Sequence, residues 1–322
     1  MPDTEHRLIA GFDAGQTHTT CRLATLQADG SWQGLSEGQG TGVSHLAAEG
    51  GAPRFEAALG SSLRWALDAA GLPANATLCA AGIGASGIES GSTVQEQGTH
   101  LASACLGLAQ PRVVVVGDEC TALAGAFNGG AGILVISGTG CIALGSDGQG
   151  HSHRCGGWGW LLDGAGSAMD IGRDGLAVSV QMADGRLADS ALRPALWQAL
   201  GADSAQAVKA AVVAPGFGAA GFARLAPVVD GLARAGDSHA QAVITRSAEA
   251  LALMVHGVAE HLHLAQPAVC GVGGALRHLQ QLQQGFRAAM QQRLPAATLQ
   301  EPAGDACSGA LSLAAQAAIK PR

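Results

Sequence analysis

Short apolar runs that end in glycine or an acidic residue recur along this chain, and segments of helical periodicity separate most of them. The runs that predict strands lie within 7–17, 21–26, 78–83, 113–116, 132–144 and 268–272. Most are apolar at consecutive rather than alternating positions, which is typical of strands buried on both faces. Strands of this kind that alternate with helices predict an α/β protein with largely parallel sheets.

Helices are predicted where apolar residues recur every three or four positions. One stripe comprises Phe55, Leu59, Leu63 and Leu67. A second follows 243–262, on a helix of about 24 residues. The other segments predicted to be helical are 120–127, 276–290 and 306–318. Between 184 and 221 the pattern weakens into alanine, glycine and proline, which indicates helices joined by loops and carries no readable function.

One strand–turn–strand design occurs twice. The first copy turns at 15–17 and is followed by the Asp29-Gly30 turn signal. The second turns at 138–140 and is followed by Asp147-Gly148. The copies are about 125 residues apart, which is too far for a repeat array and suits a duplicated domain. We therefore expect two similar lobes, each with a Gly/Thr hairpin.

Composition narrows the class of protein. The chain has 322 residues, of which 48% are hydrophobic and 13% charged, so wholesale disorder is excluded and about two domains are expected. The formal net charge is −7 and only 3% of residues are aromatic. Both values argue against a nucleic-acid partner, because such partners attract basic faces and stack on aromatic rings.

The cysteines and the first residues bear on location. None of the eight cysteines forms a C-x-x-C pair, as expected of reduced thiols in a cytoplasmic protein. The first residues lack the order of a signal peptide. The uncharged stretch 120–145 is long enough to span a membrane but contains seven glycines, so we expect strands and turns there. The prediction is a cytoplasmic protein with no membrane partner.

The two Gly/Thr turns are the first candidates for chemistry. A tight turn of this kind exposes backbone N–H groups and hydroxyls, which suit a polyphosphate. Asp13, at the end of the first strand, would hold Mg²⁺ through water, since hard cations prefer oxygen ligands. The alternative is that Asp13–Thr17 is a plain hairpin turn. The matching turn in the second copy favours phosphate binding.

Asp118 directly follows the apolar run 113–116 and Gly117. Open α/β sheets bind ligands at the carboxyl ends of their strands, and a carboxylate there can accept a proton from an attacking hydroxyl. Aspartate is also a favoured N-cap, and a helix is predicted to follow. The residues alone leave the two interpretations about equal.

Histidines and tryptophans supply weaker candidates. His151, His153 and Cys155 are metal-ligand types at strand-like spacing, but a solvated turn is the favoured interpretation over a zinc site. His256, His261 and His263 are interpreted as helix-face residues. Trp158 and Trp160 would shape a cleft or, by default, pack.

Five motifs in order resemble the N-acetylglucosamine kinase and BadF-type ATPase family of the actin-like superfamily. They are Asp13-Ala14-Gly15-Gln16-Thr17, Asp118 with Ala122-Leu123-Ala124, Ser137-Gly138-Thr139-Gly140, Gly156 to Leu162, and Gly271-Val272-Gly273-Gly274. The tail 302–311 is similar to that of bacterial glucosamine kinases. The resemblance implies an α/β, two-lobed, actin-like ATPase (ribonuclease H-like) fold with duplicated mixed sheets, flanking helices and a cleft between lobes. The implied lobes are 1–115 and 116–303, with helix 304–320 packing back on the first.

The resemblance also implies a role for particular residues, with ATP and Mg²⁺ as cofactors. The residues implied to bind the phosphates are Asp13, Gly15, Gln16, Thr17, Gly138, Thr139 and Gly140, with Asp13 linked to magnesium. Gly273 and Gly274 are implied to bind adenosine. Asp118 is implied to be the base that accepts the proton of a sugar 6-hydroxyl. The amino-sugar residues are Ser44, His45, Ser86, Gly87, Asp118, Thr139, Gly157 and Asp163.

Two departures from the family pattern lie on the sugar side. Gly164 stands where the family has a sugar-binding aspartate, with Asp163 one residue early, and His45 stands where relatives commonly have asparagine. The expected activity is phosphorylation of an amino sugar, either glucosamine or N-acetylglucosamine. The resemblance also allows a homodimer. The alternatives are a BadF-type activator with an iron–sulfur cluster, and a nucleotide-binding protein with little catalysis.

Overall fold

The computed structural model describes residues 7–319, and this part of the chain divides into two compact units. The first unit takes the chain up to Gly130 and again from Pro302, and the second comprises Ala131–Glu301. Each unit contains one five-stranded sheet.

The strands are β1 (Arg7–Ala14), β2 (His18–Leu26), β3 (Trp32–Thr41), β4 (Leu78–Ala85), β5 (Val113–Gly117), β6 (Gly132–Ser137), β7 (Cys141–Ser146), β8 (Ser152–Gly156), β9 (Ala268–Val272) and β10 (Thr298–Leu299). The helices are α1 (Gly51–Ala69), α2 (Thr93–Leu106), α3 (Asp118–Ala126), α4 (Ala168–Ala183), α5 (Leu192–Leu200), α6 (Ala205–Val212), α7 (Gly218–Ala223), α8 (Ala226–Arg234), α9 (Ser238–His261), α10 (Gly274–His278), α11 (Gln280–Arg293) and α12 (Ala306–Ile319).

The two sheets repeat one topology. The first has the strand order β3-β2-β1-β4-β5 and the second β8-β7-β6-β9-β10. In both, the first three strands in sequence are antiparallel neighbours and the last two run parallel to the central strand. The predicted α/β fold with duplicated mixed sheets and flanking helices is therefore confirmed. The expectation of largely parallel sheets is wrong, because each sheet has two antiparallel and two parallel pairings within the described residues.

The first sheet is covered on both faces. Leu8, Ala10 and Phe12 of β1 lie in the core beneath α1 and α2. Ile9 lies in the opposite core with Leu311 of α12. This alternation along β1 explains why the strand is apolar at consecutive positions.

Helix α12 lies very close to its neighbours. A Cβ at Gly82 of β4 would stand 2.0 Å from the carbonyl oxygen of Ala310, and one at Gly309 would stand 1.9 Å from that of Thr121. Helix α12 thus packs on β1, β4 and α3. Because α3 is held by α12, the first unit extends to Gly130, later than the 115 expected from the resemblance, and the second ends at Glu301 instead of 303.

In the second unit, α9 lies against the sheet, with Val243, Leu251 and Val255 buried. Its 24 residues match the predicted length. By length and composition, α9 is also the one described helix that could cross a membrane, but half of its apolar window is buried inside the unit as in a core helix. The Ala/Gly/Pro-rich region folds as α5, α6 and α7. The predicted helix 276–290 is interrupted at Leu279, where ψ is 99°.

Candidate functional site

In the first unit, the carboxyl ends of three neighbouring strands bring Asp13 and Asp118 to one edge of the sheet. Asp13 on β1 is in register with Gly84 on β4, and Gly84 with Val116 on β5. Asp118 follows β5 directly. This is the edge at which parallel strands of open sheets present ligand-binding groups.

The Asp13 carboxyl is half-buried. Burial and the nearby Asp118 carboxylate raise the pKa of Asp13 above its usual value. Two neighbouring carboxylates repel each other, and a divalent cation relieves that repulsion, so the pair fits Mg²⁺. Within residues 7–319 no three His, Cys, Asp or Glu side chains group into a metal cage. A magnesium ion here would therefore take most of its ligands from water and phosphate oxygens.

Asp118 is the first residue of α3 and does not cap it. The N-cap position belongs to Gly117, which has no side-chain cap. The Asp118 Oδ1 atom accepts a hydrogen bond from the Glu119 backbone N–H at 3.0 Å, and its Oδ2 atom accepts none within the described chain. The N-cap interpretation is wrong, and a half-buried carboxylate is left with one oxygen available to a ligand.

The β1–β2 turn gathers further residues at this edge. The Val43 N–H donates to the Gly15 carbonyl oxygen at 2.9 Å, which ties the chain after β3 to the turn. A Cβ at Gly42 would stand 2.1 Å from the Gln16 carbonyl oxygen, so only glycine allows this approach. Gln16 and Thr17 remain exposed on the turn.

The sugar-side candidates of the first unit are also neighbours. The Ser86 N–H donates to the Ala14 carbonyl oxygen at 3.1 Å. A Cβ at Gly87, whose φ is +82°, would lie 3.0 Å from the His45 ring. The exposed His45 ring is oriented by a 3.2 Å hydrogen bond that its Nδ1 atom accepts from the Ala47 N–H. The structure thus places Ser44 and His45 beside the first turn, and His45 against Gly87.

In the second unit, the corresponding turn lies beside the adenosine candidates. The Gly138 N–H donates to the Gly140 carbonyl oxygen at 2.8 Å, which closes the turn. The Ala168 N–H, at the start of α4, donates to the Gly138 carbonyl oxygen at 2.9 Å. Gly273 has φ +96°, and a Cβ there would stand 2.4 Å from the Ser137 carbonyl oxygen. Glycine is therefore required where the chain leaving β9 passes the end of β6.

A cavity of about 510 Å³ opens beside this turn, with Gly138, Thr139 and Gly274 in its lining. The opposite wall comes from α7 and α8, and no motif in the sequence points to its residues. The lining residues without a predicted role include Ala220, Arg224, Pro227, Ala275, His278 and Leu279. The small residues of 216–223 leave the space open, and their unusual density was the only signal in the sequence.

The segment after β8 contains the remaining sugar-side candidates. The Gly157 N–H donates to the Cys141 carbonyl oxygen at 3.1 Å. Asp163 is half-buried, and its side chain makes no hydrogen bond within the described chain. Gly164 is buried, and a Cβ there would stand 2.4 Å from the Met169 Cε atom. An aspartate at 164 would therefore displace Met169, and Asp163 is the carboxylate that this segment offers.

Trp158 does not pack in the interior. Its side chain is 59% exposed, and the Arg154 guanidinium lies 4.6 Å from the centre of its ring. Leu161 and Leu162 of the same segment are exposed as well. The prediction that Trp158 packs in the interior is therefore wrong for the second unit.

The segment 152–156 is strand β8, so the solvated-turn interpretation is wrong. The His153 ring stacks on the His261 ring with 3.6 Å between centroids. Burial and the neighbouring His261 lower the pKa of His153. His261, the last residue of α9, is exposed as expected of a helix-face residue, whereas His256 is half-buried. His263 is exposed but lies beyond the end of α9 with φ +54°, so the helix-face interpretation is wrong for it.

Comparisons with known proteins agree on one family. Residues 10–314 match the model of the BadF/BadG/BcrA/BcrD ATPase family. The N-acetylmuramic acid/N-acetylglucosamine kinase of Clostridium acetobutylicum is 29% identical over 205 residues, which is 63% of this chain and 67% of that protein. The crystal structure of a proposed N-acetylglucosamine kinase from Chromobacterium violaceum is 30% identical, with a TM-score of 0.70 over 96% of this chain and 99% of the other.

A more distant structure shares the fold alone. It is a ROK family glucokinase from Streptomyces griseus, solved with glucose and AMPPNP. It is 18% identical, with a TM-score of 0.55 over 96% of this chain and 98% of the other. The actin-like ATPase fold implied by the sequence motifs is confirmed by these structures.

Proposed function

The chain belongs to the BadF/BadG/BcrA/BcrD ATPase family, and from that premise we propose that it transfers the γ-phosphoryl group of ATP to the 6-hydroxyl of an amino sugar. The enzyme class, a sugar kinase, follows from the relatives that carry the names of N-acetylglucosamine kinases. Use of ATP follows from the family. The proposed acceptor is N-acetylglucosamine or glucosamine.

One observation carries the proposed mechanism. The half-buried Asp118 carboxylate keeps one oxygen without a donor within the described chain, at the same sheet edge as Asp13 and the exposed Thr17 turn. In the proposed reaction, this oxygen accepts the proton of the 6-hydroxyl as the sugar oxygen forms a bond to the γ-phosphorus. The bond from that phosphorus to the β–γ bridging oxygen breaks, and ADP leaves. General-base catalysis of this kind contributes about 10²–10⁴-fold.

Charge neutralisation is the other requirement of phosphoryl transfer. The backbone N–H groups and hydroxyls of the two Gly/Thr turns, at Thr17 and Thr139, would hold the phosphates. Bound Mg²⁺ would neutralise phosphate charge, and Asp13 would hold it through water. We assign the cavity beside Gly138 and Gly274 to adenosine because backbone without side chains allows a nucleotide to approach closely.

For the sugar, the proposal assigns contacts to Ser44, His45, Ser86, Gly87 and Gly157. Asp163 supplies the carboxylate that Gly164 lacks, because its side chain is free of internal hydrogen bonds and Met169 occupies the space beside 164. A carboxylate that accepts a sugar hydroxyl makes a charge-assisted hydrogen bond, which fixes the acceptor for attack.

The change Asp118→Asn tests the base. We expect kcat to fall by about 10²–10⁴-fold while the affinity for ATP changes little, since the amide keeps the shape and loses the basic oxygen. Coupled ADP-release assays and titration with an ATP analogue measure the two quantities. Asp203→Asn, an exposed aspartate between α5 and α6, is the matched control and should behave as wild type. A variant Asp118→Asn with wild-type kcat would show that the base is another group.

The departures at Gly164 and His45 favour one second candidate, a nucleotide-binding protein with little catalysis. ADP release measured with a panel of amino sugars and hexoses distinguishes the two candidates. A nucleotide-binding protein would bind ATP, but no sugar would increase its rate of ADP release. A kinase would release ADP faster when its preferred sugar is added.

A further inference from the structure

A second cavity in unit 131–301 lies beyond the residues assigned to phosphate, adenosine or sugar. It measures about 200 Å³ and lies between the β9–β10 edge of the sheet and helices α10 and α11. Its floor is apolar and is made by Val269, Leu276, Phe286 and Leu299. Sites for drug-sized ligands measure about 300–1,000 Å³, so this space suits a smaller molecule.

Gly271 lines the cavity and contributes no side chain to it. A Cβ at Gly271 would point at the apolar floor, 3.3 Å from Leu276 Cδ1 and 3.9 Å from Phe286 Cε1. Its φ lies outside the left-handed region that requires glycine. Neither the backbone conformation nor a close backbone contact accounts for glycine here, and a larger side chain would fill the space.

The rim carries two opposite charges that do not neutralise each other. Arg287 on α11 and Glu301 after β10 both line the cavity and are exposed. Within residues 7–319 neither side chain makes a hydrogen bond or an ion pair, with the other or with any third group. Other arginines of this unit, such as Arg173 and Arg246, do pair with carboxylates. Both rim charges are therefore available to a ligand that bears both opposite charges.

We propose that this cavity binds a free α-amino acid with an apolar side chain. The Arg287 guanidinium would hold the ligand carboxylate in a charge-assisted pair, and the Glu301 carboxylate would hold its ammonium group. The apolar side chain would lie on Leu276 and Phe286, where its burial is favourable. A sugar or a nucleotide offers no such combination of carboxylate, ammonium and hydrocarbon.

The test is calorimetric titration of the full chain with L-leucine, L-methionine and L-phenylalanine, without ATP or sugar. We expect at least one to bind, and Arg287→Gln and Glu301→Gln each to weaken that binding about tenfold or more, as for lost hydrogen bonds to charged groups. The amide of the preferred amino acid lacks the carboxylate, so it should bind the wild-type protein weakly. Its affinity should be the same for Arg287→Gln, because the group that Arg287 would hold is already absent. Arg54→Gln, an exposed arginine of α1, should bind as wild type.

A second variant separates binding from folding. Gly271→Val keeps both charges and fills the cavity, so it should abolish binding in protein whose melting temperature shows that it is folded. The proposal is overturned if none of the three amino acids binds wild type at millimolar concentration. It is also overturned if the two charge variants bind as tightly as wild type. Because no turnover is measured, either outcome leaves the kinase proposal to its own test.

Discussion

Asp13 and Asp118 place two carboxyl groups at one sheet edge, and both the burial of Asp13 and the nearby Asp118 carboxylate act on the pKa of Asp13. Its pKa is raised above the usual 3.8 by burial and then by Asp118. The folded protein therefore binds this proton more tightly than the unfolded chain does. Stability from this group is present at low pH and is lost as the pH rises through the raised pKa.

Asp13→Asn should accordingly raise the melting temperature at pH 7 while it lowers kinase activity. The difference in melting temperature between variant and wild type should grow as the pH rises above 3.8 and level off once Asp13 is ionised. Thermal unfolding between pH 3 and pH 8 measures it, with Asp203→Asn as the control. If Asp13→Asn were less stable than wild type at pH 7, ionised Asp13 would not destabilise the folded protein, and the account of its raised pKa would be contradicted.

In the proposed function, the sugar side depends on Asp163, because Gly164 has no carboxylate. Asp163→Asn should raise the KM for the sugar about 10–100-fold, the range of a lost hydrogen bond to a charged group, and leave the KM for ATP within about twofold. Steady-state kinetics with each substrate varied in turn gives both numbers. Equal effects on both substrates would mean that Asp163 supports the fold of its segment and does not contact the sugar.

Among the elements, α12 has the tightest fit in the first unit. Gly309→Ala would drive a Cβ into the Thr121 carbonyl oxygen, and overpacking of this kind costs about 1–3 kcal/mol. Gly60→Ala in α1 is the matched control, since a Cβ there meets nothing within 4 Å and alanine favours helix by about 1 kcal/mol. Denaturant unfolding should show Gly309→Ala less stable and Gly60→Ala equally or more stable than wild type. Equal stability of Gly309→Ala would mean that α12 shifts freely on α3.

Helices and strands with a strong apolar pattern could be predicted from the sequence. Features that depend on contacts with other elements or on a local change in the backbone could not. The apolar runs gave the strands of both sheet centres because burial on two faces leaves an unambiguous composition. The sequence predicts helix 276–290 without its break, because Leu279 is buried and apolar like Leu276 and Leu282 and only its backbone turns. For strand β8 the sequence predicts a turn, since residues 152–155 are polar or half-buried on an edge strand and show no apolar run.

At the scale of the whole molecule, the duplication was visible in the sequence because each copy repeats a strand, a Gly/Thr turn and a strand. The walls of the two cavities were not visible. The wall formed by α7 and α8 consists mostly of small residues, with Arg224 as its charged member, and shows no polar pattern in the sequence. The charges of the second cavity, Arg287 and Glu301, come from elements that meet only in the folded unit. The sequence motif predicts the turn at 13–17. That one oxygen of Asp118 lacks a hydrogen-bond donor within the described part of the chain is visible only in the structure.

Phosphate transfer to a sugar is the central claim, and product analysis tests it most directly. Purified protein with Mg-ATP and each of a panel of amino sugars should release ADP only with the preferred sugar, one ADP per sugar consumed. Phosphorus NMR of that product should show a phosphate ester on the 6-oxygen, and Asp118→Asn should form almost none. ADP release at the same rate without any sugar, or a product phosphorylated at another position, would contradict the account.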